Sequence, residues 1–218
     1  MSELMLDVDQ AGELKAAFRR GDWTNAEIKK LCEGEMLALV REFVLDRAEI
    51  VVKKNEVPLL ILVNGQIKLA GNNAPFSAAE TFTKKNAGVR FHTFGGNFTS
   101  WFGAKEEGSL APTILRVHKL LQNSGDTNII RELGGKEKAE TTLAEVYALI
   151  KKQARGENGV LLTSGMANIF YIRDVSGIFR AVGIVGYGGG WDAYARSLHE
   201  DVWIEGNQVF SRNYAKVA

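Results

Sequence analysis

Ala167-Asn168-Ile169-Phe170-Tyr171-Ile172, Asp174-Val175-Ser176-Gly177 and Ile178-Phe179-Arg180-Ala181-Val182-Gly183-Ile184-Val185 together decide the fold. Two runs of β-branched and aromatic residues are joined by a turn sequence. The glycine-rich Gly186-Tyr187-Gly188-Gly189-Gly190 then leads into Trp191-Asp192-Ala193-Tyr194-Ala195-Arg196. Strand formers at this spacing, bounded by turn residues, predict an antiparallel meander. Upstream, Leu161-Leu162-Thr163 predicts one more strand, ended by a turn at Ser164-Gly165. Downstream, Val202-Trp203-Ile204 and Gln208-Val209-Phe210 flank Glu205-Gly206-Asn207 and are expected to close the same sheet, with Trp203 and Phe210 buried. A meander is a scaffold and names no function.

Before the meander, Thr142-Leu143-Ala144-Glu145 is a capping box, in which hydroxyl and carboxylate satisfy each other's free amides. It opens a helix from Leu143 to about Ala154, with Val146, Tyr147 and Ile150 facing inward. Asn128 to Leu133 reads as a helical turn stopped by Gly134-Gly135. Ile114, Val117, His118 and Leu121 recur at helical spacing, so Thr113 to Leu121 is expected to be helical. Ser77-Ala78-Ala79-Glu80 is a further capping box. Pro58 to Val63 and Gln66 to Leu69 flank Asn64-Gly65, a pair that tolerates the positive φ angles of a type I′ turn, and a hairpin is expected there. Ile50-Val51-Val52 predicts a short strand.

Val89 to Phe94 alternates as a strand and is broken by Gly95-Gly96. Phe98, Trp101 and Phe102 follow in an aromatic patch. They are expected to complete a core or to form a surface that another chain covers. Adjacent side chains of an extended segment point to opposite faces, so one of Trp101 and Phe102 would need such a cover.

The first 48 residues differ in period. Asp9 to Arg20 predicts a helix capped by Asp9, with Leu14, Ala17 and Phe18 on one face and Gly21 as its stop. Thr24-Asn25-Ala26-Glu27 is a capping box for a second helix, to about Glu33. A third runs from Glu35 to about Asp46, with Met36, Leu37, Val40, Phe43 and Val44 spaced to face a core. The expectation is an α+β protein. Residues 1–48 form a helical segment, and residues 49–218 combine a mixed middle with a C-terminal antiparallel meander packed on a helix.

Composition narrows the function. The 218 residues carry 27 Lys+Arg against 26 Asp+Glu, a net charge of +1, which disfavours a strongly basic nucleic-acid surface. Cys32 is the lone cysteine, so no intrachain disulfide forms, and its apolar helical setting predicts a small buried hydrophobe. The acidic start Met1 to Asp7 lacks the basic and apolar regions of a signal peptide. The longest apolar run, Pro58 to Val63, is strand-sized, so no membrane span is expected and the setting is cytoplasmic.

No catalytic constellation is legible. His92, His118 and His199 fall on three different elements, and no metal or cofactor site is predicted. No Gly-x-Ser-x-Gly elbow occurs. The glycine run at 186–190 joins two strands and lacks the following lysine of a phosphate loop, so it reads as a hairpin. Asp174, Asp192, Glu200 and Asp201 sit at strand turns, where carboxylates are usually solvated. The first two helices resemble a helix-turn-helix unit, in which Arg19, Arg20, Lys29 and Lys30 would meet phosphates. Plain helix packing competes with that reading, because Glu27 and Glu33 share the second helix.

Three C-terminal stretches, Glu132 to Leu149, Ala167 to Asp174 and Val209 to Asn213, resemble a group of uncharacterised bacterial proteins seen in environmental sequence data. Leu14 to Arg20 and Trp23-Thr24 resemble the same group. The resemblance covers about half of the chain and is weakest from Val51 to Gly103. It implies a bacterial cytoplasmic protein and supplies no catalytic residues. The leading expectation is a non-enzymatic binding or assembly module, with a protein partner or a homo-oligomer at Phe98, Trp101 and Phe102. A nucleic-acid-binding regulator using Arg19, Arg20, Lys29 and Lys30 is the alternative. A hydrolase built on His92 or His199 with a turn aspartate is the third.

Overall fold

A computed structural model of the protein describes residues 7–49 and 58–212. The chain divides into two compact units, Met1–Glu56 and Val57–Ala218, beyond the seam at 48/49 that the change of period predicts. The strand expected at Ile50-Val51-Val52 lies outside the described residues.

The first unit holds α1 (Val8–Arg20), α2 (Asn25–Leu31) and α3 (Met36–Val44). Asp7, not Asp9, caps α1. Its carboxylate accepts from the Gln10 amide at 2.7 Å, and the Gln10 side chain accepts from the Asp7 amide. Thr24 and Glu27 form the expected box on α2. The expected inward faces are corrected, because none of the three helices has a buried residue. Cys32 is exposed as well, not a buried hydrophobe.

The second unit is built on a seven-stranded mixed sheet. Its strands are β1 (Leu60–Leu69), β3 (Phe91–Phe94), β5 (Thr113–Leu120), β7 (Ala167–Arg173), β8 (Phe179–Tyr187), β9 (Gly190–Arg196) and β11 (Gln208–Ser211). Their order across the sheet is β1-β5-β11-β7-β8-β9-β3. β2 (Phe76–Ser77) pairs with β4 (Glu106–Glu107), and β6 (Ser124–Gly125) with β10 (Val202–Trp203). The helices are α4 (Ala78–Thr81), α5 (Gly96–Phe102), α6 (Asp126–Glu132), α7 (Lys136–Ala139) and α8 (Leu143–Lys151). The architecture is α+β.

The predicted meander is β7-β8-β9, with Phe170 opposite Val182 and Gly183 opposite Tyr194. Gly188 and Gly189, at φ 55° and 76°, make the two-residue turn between β8 and β9. Both central residues of such a turn need positive φ, which glycine adopts without strain. One face of the meander buries Phe170, Ile172, Val182, Ile184 and Trp191 against Leu143, Val146, Leu149 and Ile150 of α8. The other buries Ile169, Tyr171, Phe179 and Ala181 with Ile129 and Ile130 of α6 and with Trp203.

Several expectations are corrected. β11 joins the meander alongside β7 but does not close the sheet. It lies inside the sheet, antiparallel to β5 and parallel to β7, while Val202-Trp203 pairs separately with β6. Trp203 and Phe210 are nonetheless buried, at 3% and 0% exposure. Asn64-Gly65 makes no hairpin. Leu60 to Val63 and Gln66 to Leu69 both pair with β5, so the two residues form an irregularity within one strand. Thr113–Leu120 is a strand, not a helix, because β1 and β11 flank it and bury Leu115, Val117, His118 and Leu120. Burial on both faces removes the strict alternation by which a strand is recognised. Leu161 is buried but in no strand. Its amide and carbonyl are bound by the Gln153 side chain. Ser77 makes no side-chain cap, because it pairs with Glu106 in the β2–β4 ladder.

Candidate functional site

The aromatic patch lies on α5. Gly95 turns the chain into a helix, so residues four apart share a face. Phe98 and Phe102 point into the core, at 2% and 0% exposure, and touch each other at 5.6 Å between ring centroids. Trp101 is half-buried, and the Arg180 guanidinium lies 3.9 Å above its ring. The expectation that Trp101 and Phe102 face opposite ways rested on an extended chain. Their own chain covers both Phe98 and Phe102.

The three histidines stay apart. His92, half-buried on β3, meets Tyr187 edge to face. His118 is buried on β5, and burial pushes its imidazole below the ordinary value. His199 is exposed, with Nδ1 3.4 Å from Thr127 Oγ1. It shares a cleft of about 340 Å³ with Asp126, Thr127, Glu200 and Asp201.

Asp126 in that cleft is a carboxylate held above its ordinary value. It is fully buried, and its Oδ1 accepts from Trp203 Nε1 at 2.6 Å and from the Tyr171 hydroxyl at 2.8 Å. Burial pushes its carboxyl above the ordinary value against the opposing pull of these two donors and of Arg196. Burial, then the Asp126 charge, pushes the Tyr171 hydroxyl well up. Arg196 lies 3.6 Å above the Trp203 ring, with Nε 3.9 Å from Asp126 Oδ2. Asp126 thereby ties β10 and β7 together from the start of α6, while Thr127 and His199 stand at the mouth. Asp174, expected to be solvated, is buried instead. Arg180 Nε meets its Oδ2 at 2.9 Å, and the amides of Ser176 and Ile178 donate to its Oδ1.

Arg19 and Arg20 stand in the last turn of α1, and Lys29 and Lys30 in the last turn of α2. All four are exposed. Cations at helix C-termini complement the helix dipole, which is reason enough for their positions. The opening turn of α2, which a helix-turn-helix would present to base edges, is occupied by the Thr24–Glu27 box.

The same unit carries a run of exposed apolar residues. Met36, Leu37, Leu39, Val40, Phe43, Val44 and Leu45 are 37–68% exposed along and just past α3. Trp23 and Met36 also line a cleft of about 330 Å³ with Leu31, Glu27 and Lys30. Fully burying one such side chain is worth about 1.5–3 kcal/mol. Acids stand before α3, and acids and bases alternate at its end, where Glu42 and Asp46 accompany the arginines. Glu33 and Glu35 stand before it, while Arg41 and Arg47 stand at its end. Arg41 and Arg47 contact Glu42, in ion pairs whose side chains are all more than 40% exposed. The spacing of the α3 residues was legible in the sequence as an apolar stripe. Whether the chain itself covers that stripe was not.

No family model, no curated protein and no solved structure matches this chain. Among the described residues, no group of three or more His, Cys, Asp or Glu is placed to hold a metal ion, and no helix is long and apolar enough to cross a membrane.

Proposed function

We propose that the protein is a non-enzymatic assembly module whose α3 pairs with α3 of a second copy of this chain. The observation that supports the reading is the exposed apolar run from Met36 to Leu45 in a unit whose helices bury no residue. Contiguous apolar surface of this kind marks an interaction site. The acid Glu33 before α3 and the base Arg47 after it suit an antiparallel second copy. An antiparallel pair centred on Val40 places Leu37 opposite Phe43 and Met36 opposite Val44. It also brings Glu33 of each copy beside Arg47 of the other and opposes the two helix dipoles. The exposed intrachain ion pairs of Glu42 compete weakly, since such pairs contribute about 0–1 kcal/mol.

Sedimentation equilibrium over a range of protein concentrations tests this. Wild type should form a dimer. Val40→Asp, which sets two like charges face to face at the centre, should be monomeric with an unchanged circular dichroism spectrum. Glu33→Arg should weaken the dimer and Glu33→Arg with Arg47→Glu should restore it. A wild type that stays monomeric, or a dimer indifferent to Val40→Asp, would refute the proposal.

A further inference from the structure

The second unit carries a cleft of about 390 Å³ whose ionisable lining is entirely basic: Lys84, Arg90 and Arg155. Three separate turns of chain bring these cations together. The Asn86 side chain fixes the first. Its amide donates to Thr81 O at 2.7 Å and to the Tyr147 hydroxyl at 3.0 Å, and its carbonyl accepts from the amides of Gly88 and Val89. The Arg90 backbone is pinned on both sides, with its amide on Ala154 O and its carbonyl on the Trp191 amide, each at 3.0 Å. Arg155 follows Ala154 directly. The Gly188-Gly189 turn lies against both arginines. A Cβ at Gly189 would stand 3.5 Å from Arg155 O and 3.8 Å from Arg90 Nη1.

None of the three cationic heads has an ion-pair partner among the described residues. Glu157 is the acid on the same loop as Arg155, and its Oε2 is turned back to accept from the Arg155 amide. The floor is formed by Val89 and Phe91, which are buried. Three cations without an ion pair among the described residues, of which Arg155 feels a nearby acid, Glu157, stand in one concavity and make a site for a compact multivalent anion. Two planar guanidiniums suit phosphate oxygens, which they bind in bidentate fashion, and an ammonium adds a point charge.

We propose that this cleft binds the phosphate group of a small phosphorylated molecule, with Arg90 and Arg155 as its forks and Lys84 as the third cation. The residues of the site belong to the second unit, and α3 to the first. The glycine turn borders the cleft, and a Cβ at Gly189 would stand in ordinary contact with Arg155 O and Arg90 Nη1.

Isothermal titration calorimetry with inorganic pyrophosphate, phenyl phosphate and a short single-stranded oligonucleotide tests the proposal on the full chain. Wild type should bind pyrophosphate and phenyl phosphate, with affinity falling as salt rises. Arg90→Gln combined with Arg155→Gln should weaken pyrophosphate by about tenfold or more. The melting temperature without ligand should not change, because the three heads are exposed and unpaired. Lys84→Gln should weaken binding less. No heat with either small phosphate at low salt would overturn the proposal, as would binding that the arginine substitutions leave unaltered. Tighter binding of the oligonucleotide than of pyrophosphate, lost in the same variants, would replace the small-molecule reading with a nucleic-acid one.

Discussion

Asp126 and Asp174 are both buried carboxylates, and their surroundings push them in opposite directions. Burial dominates at Asp126 and raises its carboxyl. At Asp174 burial is again the largest single effect, but the Arg180 guanidinium and the amides of Ile178 and Ser176 together outweigh it and hold the carboxyl below its ordinary value. The consequences for stability follow from which state holds the proton more tightly. The folded protein binds a proton at Asp126 more tightly than the unfolded chain does. That site therefore loses stability as pH rises from the ordinary carboxylate value to its raised one. Asp174 contributes stability above the ordinary value, which is lost as pH falls through its depressed one. Urea denaturation across acidic pH should thus give a flatter upper limb in Asp126→Asn, which keeps an acceptor for Trp203 and Tyr171. Asp174→Asn should flatten the acid limb and cost about 2–3 kcal/mol at neutral pH, since Arg180 loses its charged partner. Identical pH profiles in wild type and both variants would refute this account.

The turn between β8 and β9 and the Asn64-Gly65 pair within β1 show what local chemistry can and cannot specify. Both sequences permit a tight turn. At Gly188-Gly189 the strands on either side are complementary to each other, so the permission is used. At Asn64-Gly65 the eight-residue β5 offers a partner to both flanking runs at once, and the chain runs on past it. Gly189→Val should therefore destabilise the second unit by about 1–2 kcal/mol, since a β-branched residue at φ 76° is strained. Gly189→Asn should cost less, because Asn tolerates that region. Chemical denaturation of the two variants measures the difference, and equal midpoints would show that the turn carries no such constraint. The α8 box illustrates the opposite case, in which local sequence was sufficient. Thr142 and Glu145 cap each other as their spacing predicts, and the Glu107 carboxylate adds bonds to the Leu143 and Ala144 amides.

For the molecule as a whole, the two units should differ sharply in cooperativity. Hydrogen exchange should be slowest in β7, β8 and β11, whose residues are mostly buried. In dilute protein α1–α3 should exchange fast, and α3 should gain protection as concentration rises and copies pair. Protection of α3 equal to that of β7 at the lowest concentration would mean that its apolar face is covered within its own chain. The sequence by itself determined the meander, the α8 helix packed on it, the Thr24–Glu27 box on α2 and the glycine-rich turn between β8 and β9. These rest on contacts between near neighbours, where residue type and spacing carry the physics. Only the tertiary structure decided that Thr113–Leu120 is a strand, that Gln208–Ser211 lies inside the sheet beside β5 and β7, and that Phe98 and Phe102 sit in the core. It alone brought Lys84, Arg90 and Arg155 to one cleft. Each of those outcomes depends on which distant segment supplies the hydrogen bonds, the apolar cover or the neighbouring charge, and one-dimensional periodicity holds no record of it.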